Sequence, residues 1–409
     1  MSMWILLEAL IKIFVIIGGL MTAAAYLVLL ERRVAAWIQD RRGPNRVGIP
    51  LTNIRIFGLG QPIADGVKFI FKEEFIPGHV NRWLYVLAPS AMFVAAIVLF
   101  AAVPFGAVDL GIEGWEPIAL VVMPGLDVGI VYIFAVGSIA VYGVVLGSWA
   151  SNNKYAFFGG MRSAAQLISY EIPLGLGILG VVLASGSLRL DEIVQSQAET
   201  GVWNVFTQPL GFLVFLVAAF AEAGRLPFDL AETEQELVGG YHTEYSGIKL
   251  MMFLVAEYLH MVAASFLIVL LFFGGWHFWG LTGSEPVAGI GVALLRVVVL
   301  LAKFMLVVLF FMVARWSWPR FRFDQLMSLA WKVMLPLGLV NLVGLAFWIE
   351  YGRPRFSGAN EWIVMAIGGW VLLVASWLVT TLLVPAASDN RPRLGPAAAD
   401  LDTKEAASP

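Results

Sequence analysis

Two stretches of this chain, residues 84–108 and 128–150, contain no charged side chain at all. A run of roughly 20 apolar residues matches the hydrocarbon thickness of a bilayer. In lipid the chain must satisfy every backbone N–H and C=O itself, which confines spanning segments to helices or closed barrels. Unbroken apolar runs of this length point to helices. Nine are legible, at about 4–30, 84–104, 128–150, 164–186, 205–224, 250–274, 292–314, 332–349 and 362–385. The fold expected is therefore an all-α polytopic membrane protein. Composition agrees: of 409 residues, 60% are hydrophobic and 13% charged, against about a quarter charged in soluble domains.

Charge asymmetry sets the expected orientation. Loops 31–83, 151–163, 225–249 and 315–332 and the tail 386–409 carry 20 of the basic residues, whereas the opposite loops carry only Arg189, Arg353 and Arg355. The N-terminus is expected outside and the basic loops in the cytoplasm, on a single transmembrane domain spanning residues 1–385. The first run starts at Trp4 without a basic n-region and reads as a retained helix. Residues 386–409 are rich in Ala, Pro and Asp and are expected to be a disordered cytoplasmic tail. The chain has no Cys and its four His show no ligand spacing, so neither a metal site nor a redox centre of its own is expected. The net charge of −3 gives no reason to expect nucleic acid.

The segment RLPFDLAETEQELVGGYHTEYSG, residues 225–247, lies between two apolar runs and holds Asp229, Glu232, Glu234, Glu236 and Glu244. Glu222 and Glu257 stand at the near ends of the flanking runs, and Glu171 stands inside the fourth. Acids at membrane depth are costly unless paired, solvated or neutralised, and they mark proton or ion paths. Local capping is a competing account for some of them. Thr233 and Glu236 fit a capping box, and Gly239-Gly240 would end a short helix. Glu222 and Arg225, three apart, can pair; Glu257 and His260 share a helix face; Arg296 and Lys303 could meet acids of neighbouring helices. Glu8 and Lys12 read as a self-satisfied structural pair.

After the first span, ERRVAAWIQDRRGPNRVGIP places an acid, Glu31, beside Arg32, and this suggests a paired site. Arg33 and Arg46 are better explained as interfacial anchors. In QPIADGVKFIFKEEF, residues 61–75, Ile63, Val67, Ile70 and Phe71 form one stripe and Asp65, Lys68 and Lys72 another. Such a helix lies in the membrane interface. It is either a plain surface helix or the wall of a cavity for an amphipathic ligand.

The segments ERRVAAWIQDRRGPNRVG, QPIADGVKFIFKE, SNNKYAFFGGMRSAAQLISYE, PFDLAETEQELVGGYHTEYSG and RWSWPRFRFDQLMSLAWKVMLPL stand in this order along the chain. Together they closely resemble one membrane-subunit family of bacterial NADH–quinone oxidoreductase, respiratory complex I. Its mitochondrial counterpart is NADH dehydrogenase subunit 1. The resemblance covers about residues 5–349, which makes eight helices the family core and the ninth an addition. It implies a quinone-chamber subunit in a bacterial inner membrane. Glu31, Arg32, Arg41, Asp65 and Arg225 would line the chamber. Glu171, Glu222, Asp229, Glu232, Glu234, Glu236 and Glu257 would relay protonation changes. The quinone, ubiquinone or menaquinone, would be the substrate, and FMN and iron–sulfur clusters would reside only in partner subunits. Implied partners are hydrophilic-arm iron–sulfur subunits, small membrane subunits, antiporter-like subunits and lipid. A hydrogenase-type relative with another electron donor, a stand-alone transporter and a membrane scaffold are the competing readings. The acids speak against a scaffold, and no repeated half with broken helices supports a transporter.

Overall fold

A computed structural model describes residues 3–48, 57–109, 111, 117–230, 234–356 and 361–383, with side chains except at 3–5, 234, 235 and 383. The helices in chain order are α1 (Met3–Ile38), α2 (Gln61–Phe71), α3 (Arg82–Val98), α4 (Gly129–Ala150), α5 (Lys154–Ser185), α6 (Leu190–Thr200), α7 (Asn204–Thr207), α8 (Pro209–Glu222), α9 (Glu234–Leu237), α10 (Gly247–Phe272), α11 (Ile290–Ser317), α12 (Phe323–Ser328), α13 (Leu335–Phe347) and α14 (Glu361–Leu383). Among the described residues, eight helices are long and apolar enough to cross a membrane, with α12 and α13 joined through a π-helical turn into one of them. The protein is an all-α, multi-pass membrane protein. A small sheet, in the order β2 (Ile118–Ala119), β1 (Ala107–Asp109), β3 (Ala288–Gly289), lies where α3 ends and α11 begins.

The fifth expected span differs from the rest. Residues 205–224 break at Gln208, which leaves α8 with 14 residues, about 21 Å at the helical rise. Backbone groups freed in a membrane must find partners. Here Gln197 Oε1 accepts from the Asn204 backbone amide at 3.0 Å, while Asn204 Nδ2 and Gln208 Nε2 tie the break to the Leu271 carbonyl of α10 at 2.8 Å and the Gly180 carbonyl of α5 at 3.3 Å. Pro209 then suits the first turn of α8, where no amide hydrogen is needed. The saved length lets residues 223–230 fold back into the protein.

Other boundaries also move. Helix α1 continues to Ile38, so Glu31 and Arg32 are helical rather than in a loop. Asn153 caps α5 through the Tyr155 amide, ten residues before the expected start, so that Glu171 lies mid-helix. Helix α2 ends at Phe71 rather than 75, with Ile63, Val67, Ile70 and Phe71 exposed. Residues 187–204, read from sequence only as a loop, contain the amphipathic α6, with Leu190, Ile193 and Val194 buried. The expected tail 386–409 lies outside the described residues.

Helix α10 is central. Every residue from Met261 to Phe272 is buried, as expected of a helix apolar on all sides. It touches α1, α3, α8 and α11. Small residues allow close crossings: a Cβ on Gly143 of α4 would stand 2.8 Å from the Met92 side chain of α3.

Arg296 and Lys303 do not meet acid side chains as expected; carbonyl oxygens take their place. Arg296 donates to Thr282 O at 3.0 and 2.9 Å and to Glu285 O at 2.7 Å. Lys303 Nζ donates to the carbonyls of Phe273 (2.7 Å), Gly275 (3.0 Å) and His277 (2.5 Å), and lies 4.4 Å from the Trp203 ring centroid. The C-terminus of α10 carries unsatisfied carbonyls and partial negative charge, which a cation complements. Lys303→Met should lower stability by about 1–3 kcal/mol, read as a fall in the thermal midpoint of the detergent-solubilised protein.

Candidate functional site

The charged groups gather at the end of the molecule where α1, α4, α8 and α11 finish and α3, α5 and α10 begin. Glu31, only 5% exposed, is the hub. It pairs with Arg225 at 3.5 Å, accepts a 2.5 Å hydrogen bond from the Tyr258 hydroxyl, and pairs closely with Arg315. The Arg225 guanidinium also lies 4.1 Å from the Tyr258 ring centroid. One carboxylate thus joins α1, the turn after α8, α10 and the end of α11. The Glu222–Arg225 pairing anticipated from sequence gives way to Arg225–Glu31. Neither is Glu31 paired with its neighbour Arg32, whose guanidinium reaches Asp65 of α2 at 2.8 Å. Asp65 further accepts from Gln61 at 3.2 Å. Arg41 is exposed and bonds Gln39; with Arg42, Arg46, Phe57 and Gln61 it borders a cleft of about 830 Å³.

Deeper in, Asp229 pairs with Arg320 at 3.3 Å. Burial raises its carboxyl above the ordinary aspartate range, the Glu257 charge adds to this, and Arg320, Arg315 and Arg225 oppose it. Glu257 accepts a 2.5 Å hydrogen bond from Tyr241. Glu222 and Glu171 line a common cavity of about 40 Å³ between α4, α5, α8 and α10. Gln166 of α5 fixes the turn that carries Arg225 and Asp229, because its Nε2 donates to the carbonyls of Ala221 and Phe228, both at 2.8 Å.

The remaining expected acids lie further out. Glu236 is exposed and pairs with Arg162 at 2.6 Å. Glu232 lies outside the described residues, as does Thr233 of the expected capping box; the Glu234 side chain does too. After α9 both Val238 (φ 68°) and Gly240 (φ 59°), the second residue of the expected glycine pair, are left-handed. Glu244 accepts from Asn153 Nδ2 at 2.6 Å, which ties the acidic loop to the start of α5.

Sequence reasoning missed the partners more than the acids. Arg315 and Arg320 lie in a basic, aromatic segment and neutralise Glu31 and Asp229, which are far away in the sequence. Tyr258, adjacent to Glu257, and Tyr241 carry no charge and gave no signal. The Lys249–Glu74 pair at 2.8 Å joins α10 to the segment after α2 and was equally invisible.

The family model described as NADH dehydrogenase matches residues 11–346. The chain belongs to that family. Its match covers α1 through most of α13 and stops before α14, so α14 lies outside it. The chain is 44% identical over 345 residues to NADH-quinone oxidoreductase subunit 8 of Rhodothermus marinus, covering 81% of this chain and 94% of the relative. It is 46% identical over 333 residues to an NADH-quinone oxidoreductase subunit of Geobacter metallireducens, covering 81% and 93%. An NADH-quinone oxidoreductase subunit of Cytophaga hutchinsonii is 45% identical over 343 residues, covering 83% and 95%.

Two outcomes follow from this geometry. Glu31→Gln removes the charge that neutralises Arg225 and Arg315, and should cost about 3–5 kcal/mol, seen as a lowered thermal midpoint. For Asp229, burial favours the neutral acid, so its proton leaves at higher pH than that of a free aspartate. A carboxyl C=O infrared band, absent in Asp229→Asn, should therefore persist above the ordinary range of about 3.9 and disappear only as pH rises further.

Proposed function

We propose that this chain is the quinone-chamber membrane subunit of a proton-pumping NADH:quinone oxidoreductase, and that its buried carboxylates couple quinone reduction to proton translocation. The observation that carries this reading is a graded series of charged contacts. It begins at the exposed Arg32–Asp65 pair, passes through Glu31 with Arg225, Arg315 and Tyr258, continues to Asp229 and Glu257, and ends at the cavity of Glu171 and Glu222. The names of the relatives supply the reaction, and their bacterial sources suit a bacterial inner membrane.

In this reading the basic end faces the cytoplasm and the N-terminus lies outside. Hydrophilic-arm subunits that carry the iron–sulfur clusters dock on the basic end, above the cleft bordered by Arg41, Arg42 and Arg46. FMN also belongs to partner subunits, and small membrane and antiporter-like subunits flank the helices. The quinone enters beside α2, whose exposed apolar stripe suits contact with an isoprenoid tail. Reduction makes the quinone demand protons and changes the charge seen by Arg32, Arg225 and Asp65. The Glu31 hub responds because its two arginines are shared between neighbouring acids. Asp229 and Glu257 then pass a protonation change to Glu222 and Glu171. Glu232, Glu234 and Glu236 belong to the same acidic loop and tune its charge.

In purified complex, Glu222→Gln or Glu257→Gln should lower NADH-driven quinone reduction about tenfold or more, while NADH:ferricyanide activity, which reports assembly, stays intact. Glu232→Gln and Glu236→Gln should depress coupled activity more mildly. Full coupled activity in all of these variants would rule out the relay. A tagged chain that co-purified with a hydrogenase module would keep the relay but replace the electron donor.

A further inference from the structure

Two small cavities meet at Glu222. One, about 20 Å³, lies among Leu99, Ile133, Leu174 and Phe215; the other, about 40 Å³, lies among Met92, Gly137, Leu167 and Glu171. Glu222 of α8 and His260 of α10 are the residues that line both. His260 Nε2 is buried and has no hydrogen-bond partner among the described residues. An unbonded buried ring nitrogen is costly, and buried polar groups almost always find a partner. Each cavity exceeds the roughly 10–15 Å³ that one water needs. The larger also offers the polar groups a water requires, namely the two carboxyls and the imidazole.

The position of His260 on α10 gives this arrangement a direction. Glu257 lies one turn before His260 on the same helix face, toward the end where Tyr241 and Asp229 stand. The titratable groups around the imidazole are Glu257 on its own helix, Glu222 from α8 and Glu171 from α5. Helices α3 and α4 present only uncharged side chains to these cavities. His260 therefore occupies the gap between the outer acids and the inner pair.

We propose that His260 is a positioning residue of the carboxylate chain: its Nε2 holds a water in the shared cavity and joins Glu222 to Glu171 by hydrogen bonds. The proposal rests on the relay reading given above. The imidazole need not change charge, since a neutral ring accepts at one nitrogen while it donates at the other. A side chain with both an amide donor and an acceptor can replace it in part, and an aliphatic one cannot.

The test uses intact complex in proteoliposomes and three variants, Glu222→Gln, His260→Leu and His260→Gln. Glu222→Gln identifies the Glu222 carboxyl band in redox-induced infrared difference spectra by its loss. His260→Leu should shift that band and lower coupled quinone reduction about tenfold, with NADH:ferricyanide activity retained; His260→Gln should restore most of both. Normal turnover and an unshifted band in His260→Leu, beside an impaired Glu222→Gln, would overturn the role of His260 and leave the relay standing. A His260→Gln variant as slow as His260→Leu, with the band unmoved, would also overturn it, because the loss would then be structural. A fully active Glu222→Gln would instead remove the relay itself. If His260→Leu does not assemble, Gly137→Val fills the same cavity, since a Cβ there stands 3.9 Å from Glu222 Oε1. The band should shift in that variant, and a stationary band would count against the proposal.

Discussion

Glu31 is the interaction on which the charged half of this protein depends. It is nearly inaccessible, and an unpaired carboxylate in that setting would be far costlier than the contacts that hold it. Two arginines and a tyrosine hydroxyl, from three separate segments, converge on it. The ends of α1 and α11, the middle of α10 and the turn after α8 are thereby fixed to one another. The same arginines also weigh on Asp229, whose carboxyl is pulled one way by burial and Glu257 and the other way by the cations. Arg225 and Arg315 therefore act on Glu31 and Asp229 at once.

The shortness of α8 makes room for that network. A full-length span at 205–224 would carry the turn of residues 223–230 away from the ends of α1, α5 and α10. The break at Gln208, where Gln197 accepts from the Asn204 amide and the Asn204 and Gln208 side chains bond α10 and α5, keeps the turn of residues 223–230 within reach of α1, α5 and α10. At the opposite end the protein uses cations differently. Arg296 and Lys303 bond backbone carbonyls and serve to close the connection between α10 and α11. Buried charge is therefore structural at one end, and at the other it forms a chain of interacting acids and bases.

The amino-acid sequence by itself determined the helical class, the number of apolar runs and the position of the acids among them. Those properties follow from bilayer thickness and from the cost of charge in lipid, which act on each segment alone. It also identified the family, through motifs set in order along five loops. The pairing of charges was decided by the tertiary structure. Arg225 seemed a partner for Glu222 by helical spacing, but the chain turns after α8 and carries it to Glu31, 194 residues away in sequence. Arg315 lies 284 residues from the same acid, and no local pattern connects the two. The break in α8, the amphipathic α6 and the cavities that bring His260 to Glu222 and Glu171 likewise depend on which helices pack together. Periodicity reports the face a residue occupies, whereas the partner on that face is chosen by packing.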